Sequence, residues 1–202
     1  MNLKYPANHF IEKNKEALKG LIEAFPLATL ISTYQDQIHT SYLPFIWDAN
    51  GFLIGHLDAN NPQVALLKDG KKVSLIFNGP EAYISPAHFI TNELPTYNYC
   101  KVEINGIIRP IADEDLKQAI IKLTSHLEGK QAAYQLTENE KRLHSLINYI
   151  YGFKIEIEQL QGRFKMSQDK SKLHQKKAVN LMCEIDKHHT EVFLDVYKKQ
   201  IQ

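Results

Sequence analysis

Cysteine is scarce in this chain: Cys100 and Cys183 are the only two in 202 residues, they lie in dissimilar surroundings, and neither belongs to a CxxC or has a His partner at ligand spacing. A disulfide framework and a structural zinc are therefore excluded as organising devices. Charge of one sign is also lacking. The 24 Lys+Arg meet 23 Asp+Glu for a formal +1, so no general basic field exists for sequence-independent DNA binding, and any nucleic-acid role needs a local patch. No apolar run reaches membrane-spanning length, and the opening Met1-Asn2-Leu3-Lys4-Tyr5-Pro6 lacks the apolar core of a secretory signal. The chain reads as soluble and cytoplasmic. GxGxxG, a Walker loop, GxSxG and HExxH are all missing, so any site must be assembled from separated strands. There is no internal repeat, no low-complexity tract and no linker that demands two independently folding domains.

What is present is 44% hydrophobic and 10% aromatic residues, enough for one substantial core. His9–Ala24 spaces Phe10, Leu18, Leu21, Ile22 and Phe25 as a helix face stopped by Pro26. From Leu27 the pattern turns to short β-branched and aromatic runs: Leu27–Thr33, Ile38–Trp47, Phe52–Leu57, Val73–Phe77 and Tyr97–Pro110. Asn50-Gly51, Asp69-Gly70 and Gly79-Pro80 punctuate them. That grammar predicts an antiparallel sheet or barrel, with a short helix over Asn60–Leu67 where Asn60-Asn61-Pro62 supplies a cap. Asp113, Glu114 and Asp115 open a helix that runs to Gly129, and the capping box Thr137-Glu138-Asn139-Glu140 opens another that runs to Gly152. These form a predicted helical hairpin over 113–151. Alternation returns in Phe153–Glu158 as a late strand, and from Ser171 an amphipathic helix carries Ala178, Val179, Leu181, Met182 and Ile185, with Val192, Phe193 and Val196 beyond.

Three clusters have the chemistry of a ligand site. Gly55-His56-Leu57-Asp58-Ala59-Asn60-Asn61-Pro62-Gln63 runs from a strand into a helix start, where free amides and polar side chains suit a phosphate or a flavin edge; plain capping and a packed His56 account for it too. Pro95-Thr96-Tyr97-Asn98-Tyr99 offers rings for stacking and an amide for directional bonds, and equally suits ordinary core. Arg163-Phe164-Lys165-Met166-Ser167-Gln168-Asp169 gathers cations, a hydroxyl and an amide at a strand end, as a solvated turn also would. His39, Tyr42 and His88 have no acid or nucleophile at fixed spacing, so no catalytic residue is assigned. His144, His174 and the adjacent pair His188-His189 lie scattered over helical surface and do not make a metal site.

Six segments in order resemble the PaiB-like FMN-binding family, from the first helix to about Lys170. They are Phe25-Pro26-Leu27-Ala28-Thr29-Leu30, Ser41-Tyr42-Leu43-Pro44-Phe45, Gly55-His56-Leu57 with Ala59-Asn60-Asn61-Pro62-Gln63, Ile76–Pro86, Pro95–Tyr99, and Lys165-Met166-Ser167-Gln168. The resemblance implies a mainly β fold with α additions: a Greek-key split β-barrel over 1–170 with an N-terminal helix and the inserted hairpin, followed by a C-terminal helical extension over 171–202. It further implies a homodimer with the flavin in a cleft between protomers, and FMN contacts from Tyr42, His56, Asn60, Gln63, Tyr97, Asn98, Lys165, Ser167 and Gln168. The chain departs from the family pattern where Tyr42 replaces a usual His, Tyr97 a usual Trp and Asp169 a usual Asn, and the loop over 87–94 is short. The implied activity is flavin reduction by NADH or NADPH, or FMN-dependent oxidoreduction. The alternatives are a negative transcriptional regulator, for which no helix-turn-helix is present, and a non-catalytic flavin or haem module.

Overall fold

The computed structural model describes residues 7–89 and 94–185. A 3-10 turn over Asn8–Phe10 leads into strand β1, Ile11–Glu12, and then helix α1, Lys15–Ala24. The first helix is thus shorter than its apolar spacing predicts. Asn14 sets its start, because its Oδ1 accepts from the amides of Glu16 (2.9 Å) and Ala17 (3.2 Å), and Ile11 and Glu12 are taken up in sheet pairing. Phe10 therefore lies outside the helix.

Strands β2, Leu27–Tyr34, and β3, Gln37–Pro44, form a hairpin through Gln35 and Asp36, both at positive φ (47° and 62°). Phe45 interrupts the long strand predicted to Trp47, leaving Ile46–Trp47 as a separate β4 paired with β5, Leu53–Asp58. Asn61 caps a 3-10 turn over Pro62–Leu66 where a short helix was expected. β6, Lys72–Ile84, runs through Gly79-Pro80, which was expected to break it. Gly79 is extended and is there for space: a Cβ would stand 2.7 Å from Leu21 Cδ1 of α1. Gly162 makes the same room for Leu18, since its Cβ would come within 2.3 Å of Leu18 Cδ2. β7 spans Thr96–Arg109 and α2 spans Asp113–Glu128, ending at Gly129 with φ 69° as the acidic start and the glycine stop predict.

The second hairpin helix is much shorter than predicted. Glu140 rather than Thr137 caps α3, Lys141–Leu146, and a 3-10 turn follows over Ile147–Tyr149. Its expected last turn is recruited by β8, Ile150–Lys165, in which Ile150, Tyr151 and Gly152 pair with Asp58, Leu57 and His56. Cross-strand pairing wins there over helix propensity. β8 extends beyond the predicted Phe153–Glu158 at both ends, since β1 pairs with Gly162 and Arg163 near its far end. Helix α4 spans Lys172–Ile185; Val192, Phe193 and Val196 lie outside the described residues.

The strands make one sheet in the order β3-β2-β6-β7-β8-β5-β4, with β1 also on β8. β6 sits beside β2 and β8 beside β5, the crossovers expected of Greek-key connectivity, and the two ends of the path are not hydrogen-bonded to each other. The result is a mainly antiparallel, incompletely closed split barrel with helical additions. The chain divides into two compact units. One comprises residues 1–25, 76–103 and 160–202, and the other 26–75 and 104–159. The first unit buries Leu21, Ile22, Phe77, Val102 and Phe164, together with Ala178, Val179 and Met182 of α4. The second buries Leu30, Phe45, Leu53, Leu67, Leu75 and Phe153. β6, β7 and β8 each pass from one unit into the other without a linker.

Candidate functional site

In the second unit, the incomplete closure leaves a groove. β4 covers β5 only at Leu53 and Ile54, so Gly55–Asp58 pair with β8 on one side alone. On the other side β5 comes close to β3, and between them opens a groove of about 710 Å³, within the range of small-molecule sites. β3 contributes Ser41, Tyr42, Leu43 and Pro44, and β5 contributes His56, Leu57 and Asp58. Asn61, Leu146, Tyr149 and Ile150 complete the wall. The segments around Tyr42 and around His56 thus line a single groove.

Asn61 ties this wall together. Its Oδ1 accepts from the Gln63 amide at 2.9 Å, and its Nδ2 donates to Ser41 Oγ at 3.0 Å. Ser41 keeps its own hydroxyl proton to donate. Burial pushes the His56 pKa below its usual value, so the imidazole stands neutral at pH 7 with one donor and one acceptor. Tyr42 and Tyr149 are 70% and 62% exposed, two phenol rings at the rim. The Ala59 amide donates to Tyr149 O at 2.9 Å and anchors the second of them.

Two further predicted residues of this unit lie off the groove wall. Asn60 folds back on Asp58, whose Oδ1 accepts from its amide (2.7 Å) and its Nδ2 (3.0 Å). Gln63 is buried, and its Nε2 donates to Ser32 Oγ at 3.0 Å and to His39 O at 3.1 Å, clamping the β2–β3 hairpin. Its Oε1 is buried without a hydrogen-bond partner among the described residues.

The first unit gathers the remaining five. Asn98 Nδ2 donates to Ser167 Oγ at 3.0 Å, both buried. Gln168 closes the turn after β8: its Oε1 accepts from the Met166 amide at 2.6 Å, and its Nε2 donates to Phe164 O. Tyr97 is exposed. Lys165 is half-buried and has no ion pair or hydrogen bond among the described residues, whereas neighbouring Arg163 donates to Glu103 at 3.0 Å. Beneath them Cys100 Sγ lies 3.3 Å from Met166 Sδ, and burial raises the thiol pKa well above its usual value.

Sequence reasoning missed Leu146, Tyr149 and Ile150, for which no motif gives a signal. Ser41 and Asn61 were within quoted motifs and were passed over for their neighbours. The groove of the second unit, aromatic at its rim with donors at Ser41 and His56, suits a flat, polar-edged ring.

The fold and groove define a flavin-type split-barrel protein. Residues 4–159 match the family described as "Putative FMN-binding domain", and the chain belongs to that family. It is 25% identical over 206 residues to the protease synthase and sporulation protein PAI 2 of Bacillus subtilis, covering 98% of this chain and 100% of that protein. Among solved structures, the FAD and haem binding protein of Mycobacterium smegmatis aligns with a TM-score of 0.63 at 14% identity, over 84% of this chain and 80% of that one. A flavocytochrome from Azotobacter vinelandii aligns with a TM-score of 0.57 at 14% identity, over 83% and 75%. Among the described residues no helix is long and apolar enough to cross a membrane.

Proposed function

We propose that this chain is a homodimeric flavoprotein that binds FMN and uses it in oxidoreductase chemistry on a second substrate. The observation that carries this reading is the convergence of Tyr42 and His56 on one aromatic-rimmed groove in a chain of the FMN-binding family. Bound FMN supplies the hydride or electron transfer that no side-chain constellation here provides. Tyr42 and His56 face the ring, and Ser41 and His56 offer donors to its polar edge. Asn60 and Gln63 hold the turn and the hairpin that shape the groove. Lys165 neutralises phosphate, with Tyr97 exposed on the same unit and Asn98, Ser167 and Gln168 bracing its strand ends from within. Two cysteines with no disulfide among the described residues fit a reducing, cytoplasmic compartment.

Of the two redox readings, FMN-dependent oxidoreduction has more support than flavin reduction by NADH or NADPH. A dinucleotide brings a pyrophosphate, and no Lys or Arg lines the groove. A regulatory reading draws on the name of the Bacillus relative, and among the described residues its cationic support is exposed Lys172 and Lys176 of α4; Lys177 lies 5.9 Å over the Phe89 ring. Salt-sensitive DNA retention that is lost on replacing Lys172, Lys176 and Lys177 with Ala would favour it.

The decisive test is the spectrum of the purified protein and its titration with FMN. A flavin band and saturable binding are expected, and Lys165→Ala should weaken FMN by roughly tenfold or more, the worth of a charge-assisted bond, with an unchanged melting temperature. Failure of FMN to bind removes the flavin reading. Unchanged affinity in Lys165→Ala removes the phosphate assignment.

A further inference from the structure

We propose that the cleft between α2 and the β4–β5 hairpin binds an ω-amino acid, a zwitterion whose ammonium and carboxylate are held apart by a short methylene chain. The cleft shares no lining residue with the groove between β3 and β5, so it stands apart from the flavoprotein reading. Its floor is a row across the sheet. Ile46 pairs with Ile54 and Ile54 with Lys154, so the three side chains share one face. α2 packs on the same face of β8, where a Cβ on Gly152 would stand 2.5 Å from Leu116 Cδ1. Two residues on, at Lys154, helix and sheet part around a cleft of about 370 Å³, room enough for a small molecule. α2 presents Asp115, Ala119 and Lys122 to it, and the hairpin turn presents Asp48.

The wall carries two carboxylates and two ammonium groups, unevenly placed. At one end Lys154 Nζ lies 3.4 Å from Asp115 Oδ2 and 4.0 Å from Asp48 Oδ2, one cation between two anions. Asp48 is further committed to its turn, since its Oδ1 accepts from the amides of Asn50 (2.8 Å) and Phe52 (2.9 Å). Asp115 meets no partner but Lys154 among the described residues, so its Oδ1 remains to accept from a ligand ammonium. Lys122 makes the other end. Its Nζ donates to the Trp47 carbonyl at 2.8 Å, meets no carboxylate among the described residues, and keeps two protons to donate. Asp115 and Lys122 stand two turns apart on one face of α2, about 10 Å along its axis, and their side chains lean the same way. A charge-assisted hydrogen bond at each end leaves room for roughly three to five methylenes, lying against Ile46, Ile54 and Ala119. A simple acid or amine matches one end only, and an α-amino acid holds its charges too close together to reach both.

Trp47, the only tryptophan of the chain, lines the cleft and makes its fluorescence a local readout, with titration calorimetry as the second measure. The full chain is titrated at constant ionic strength with 5-aminopentanoate, with its isomer 2-aminopentanoate, and with pentanoate and pentylamine. The first should bind at least tenfold more tightly than each of the other three, the scale of one charge-assisted bond. Lys122→Ala should bring 5-aminopentanoate down to the affinity of pentylamine and leave pentylamine unchanged. Asp115→Asn should bring it down to that of pentanoate and leave pentanoate unchanged. Both side chains are exposed, so both variants should keep the circular dichroism of the parent. Equal affinity for the two isomers overturns the proposal. So does binding of none of the four compounds, or a 5-aminopentanoate affinity indifferent to both variants.

Discussion

Asn98 and Ser167, 69 residues apart, are joined in the buried interior of their unit by a hydrogen bond from Asn98 Nδ2 to Ser167 Oγ at 3.0 Å. Ser167 makes this bond from the left-handed region, at φ 59°, where a residue with a Cβ is held against its preference. Two opposed terms follow for substitutions there. Ser167→Ala keeps the backbone strain and strands a buried amide, so it should cost about 1–3 kcal/mol in urea unfolding. Ser167→Gly loses the same bond but relieves the backbone, and should be milder than Ala by about 1 kcal/mol. Equal losses would mean that the backbone at Ser167 is unstrained. Asn98→Ala removes the same buried partner, which makes Lys165 the cleaner probe of ligand binding.

Gly55 belongs to a family-like motif, yet its role is to make room. A Cβ at this position would stand 2.4 Å from Phe45 Cε1, and the Phe45 ring is pinned edge-on against Phe153 at 6.0 Å between centroids. Gly55→Ala is therefore expected to destabilise by about 1–3 kcal/mol through overpacking. Adding Phe45→Leu should recover part of that loss, because the flexible side chain clears the new methyl. Destabilisation that Phe45→Leu leaves untouched would place the cause elsewhere.

His56 couples stability to pH. Burial lowers its pKa in the fold, while the unfolded chain protonates it near the ordinary value of about 6.5. Above that value both states are neutral and the contribution is full. As pH falls from about 6.5 toward the folded pKa, the unfolded state binds more protons, and stability is lost. His56→Gln should remove this loss, so the difference in unfolding free energy between parent and variant should change between pH 7.5 and 5. Parallel profiles would mean that His56 keeps its ordinary pKa in the fold.

The alternation of β2, β7 and α2's acidic start could be read from residues alone, because these elements follow local rules. Length could not. β6 continues through Gly79-Pro80 because α1 needs the space at Gly79, and α3 stops early because β5 claims Ile150–Gly152; both causes lie in tertiary pairing. The same holds for the groove. Tyr42 and His56 were legible through motifs, but Tyr149 and Leu146 reach the wall only because the helix ends where it does. The hairpin turn was hidden for a different reason, since Gln35 and Asp36 adopt positive φ without the glycine that normally announces it.

The outward face of the β2–β3 hairpin supports the proposed homodimer and gives its test. Register puts Leu27, Thr29, Ile31 and Thr33 opposite Pro44, Tyr42, Thr40 and Ile38, so these eight side chains share one face, and none is charged. Ile38 is 71% exposed and Leu27 is exposed beside Pro44, an uncommon position for large apolar groups on an isolated chain. In a two-fold interface a residue near the axis meets its own copy, so a charge there would meet its like; an uncharged face escapes that cost. Ile38→Glu introduces the missing repulsion at an exposed site whose cross-strand partner, Thr33, is exposed too. In sedimentation velocity the parent should run at twice the chain mass and Ile38→Glu at the chain mass, with unchanged circular dichroism. A parent that sediments as a monomer, or an Ile38→Glu variant that remains dimeric, would remove this face from the assembly.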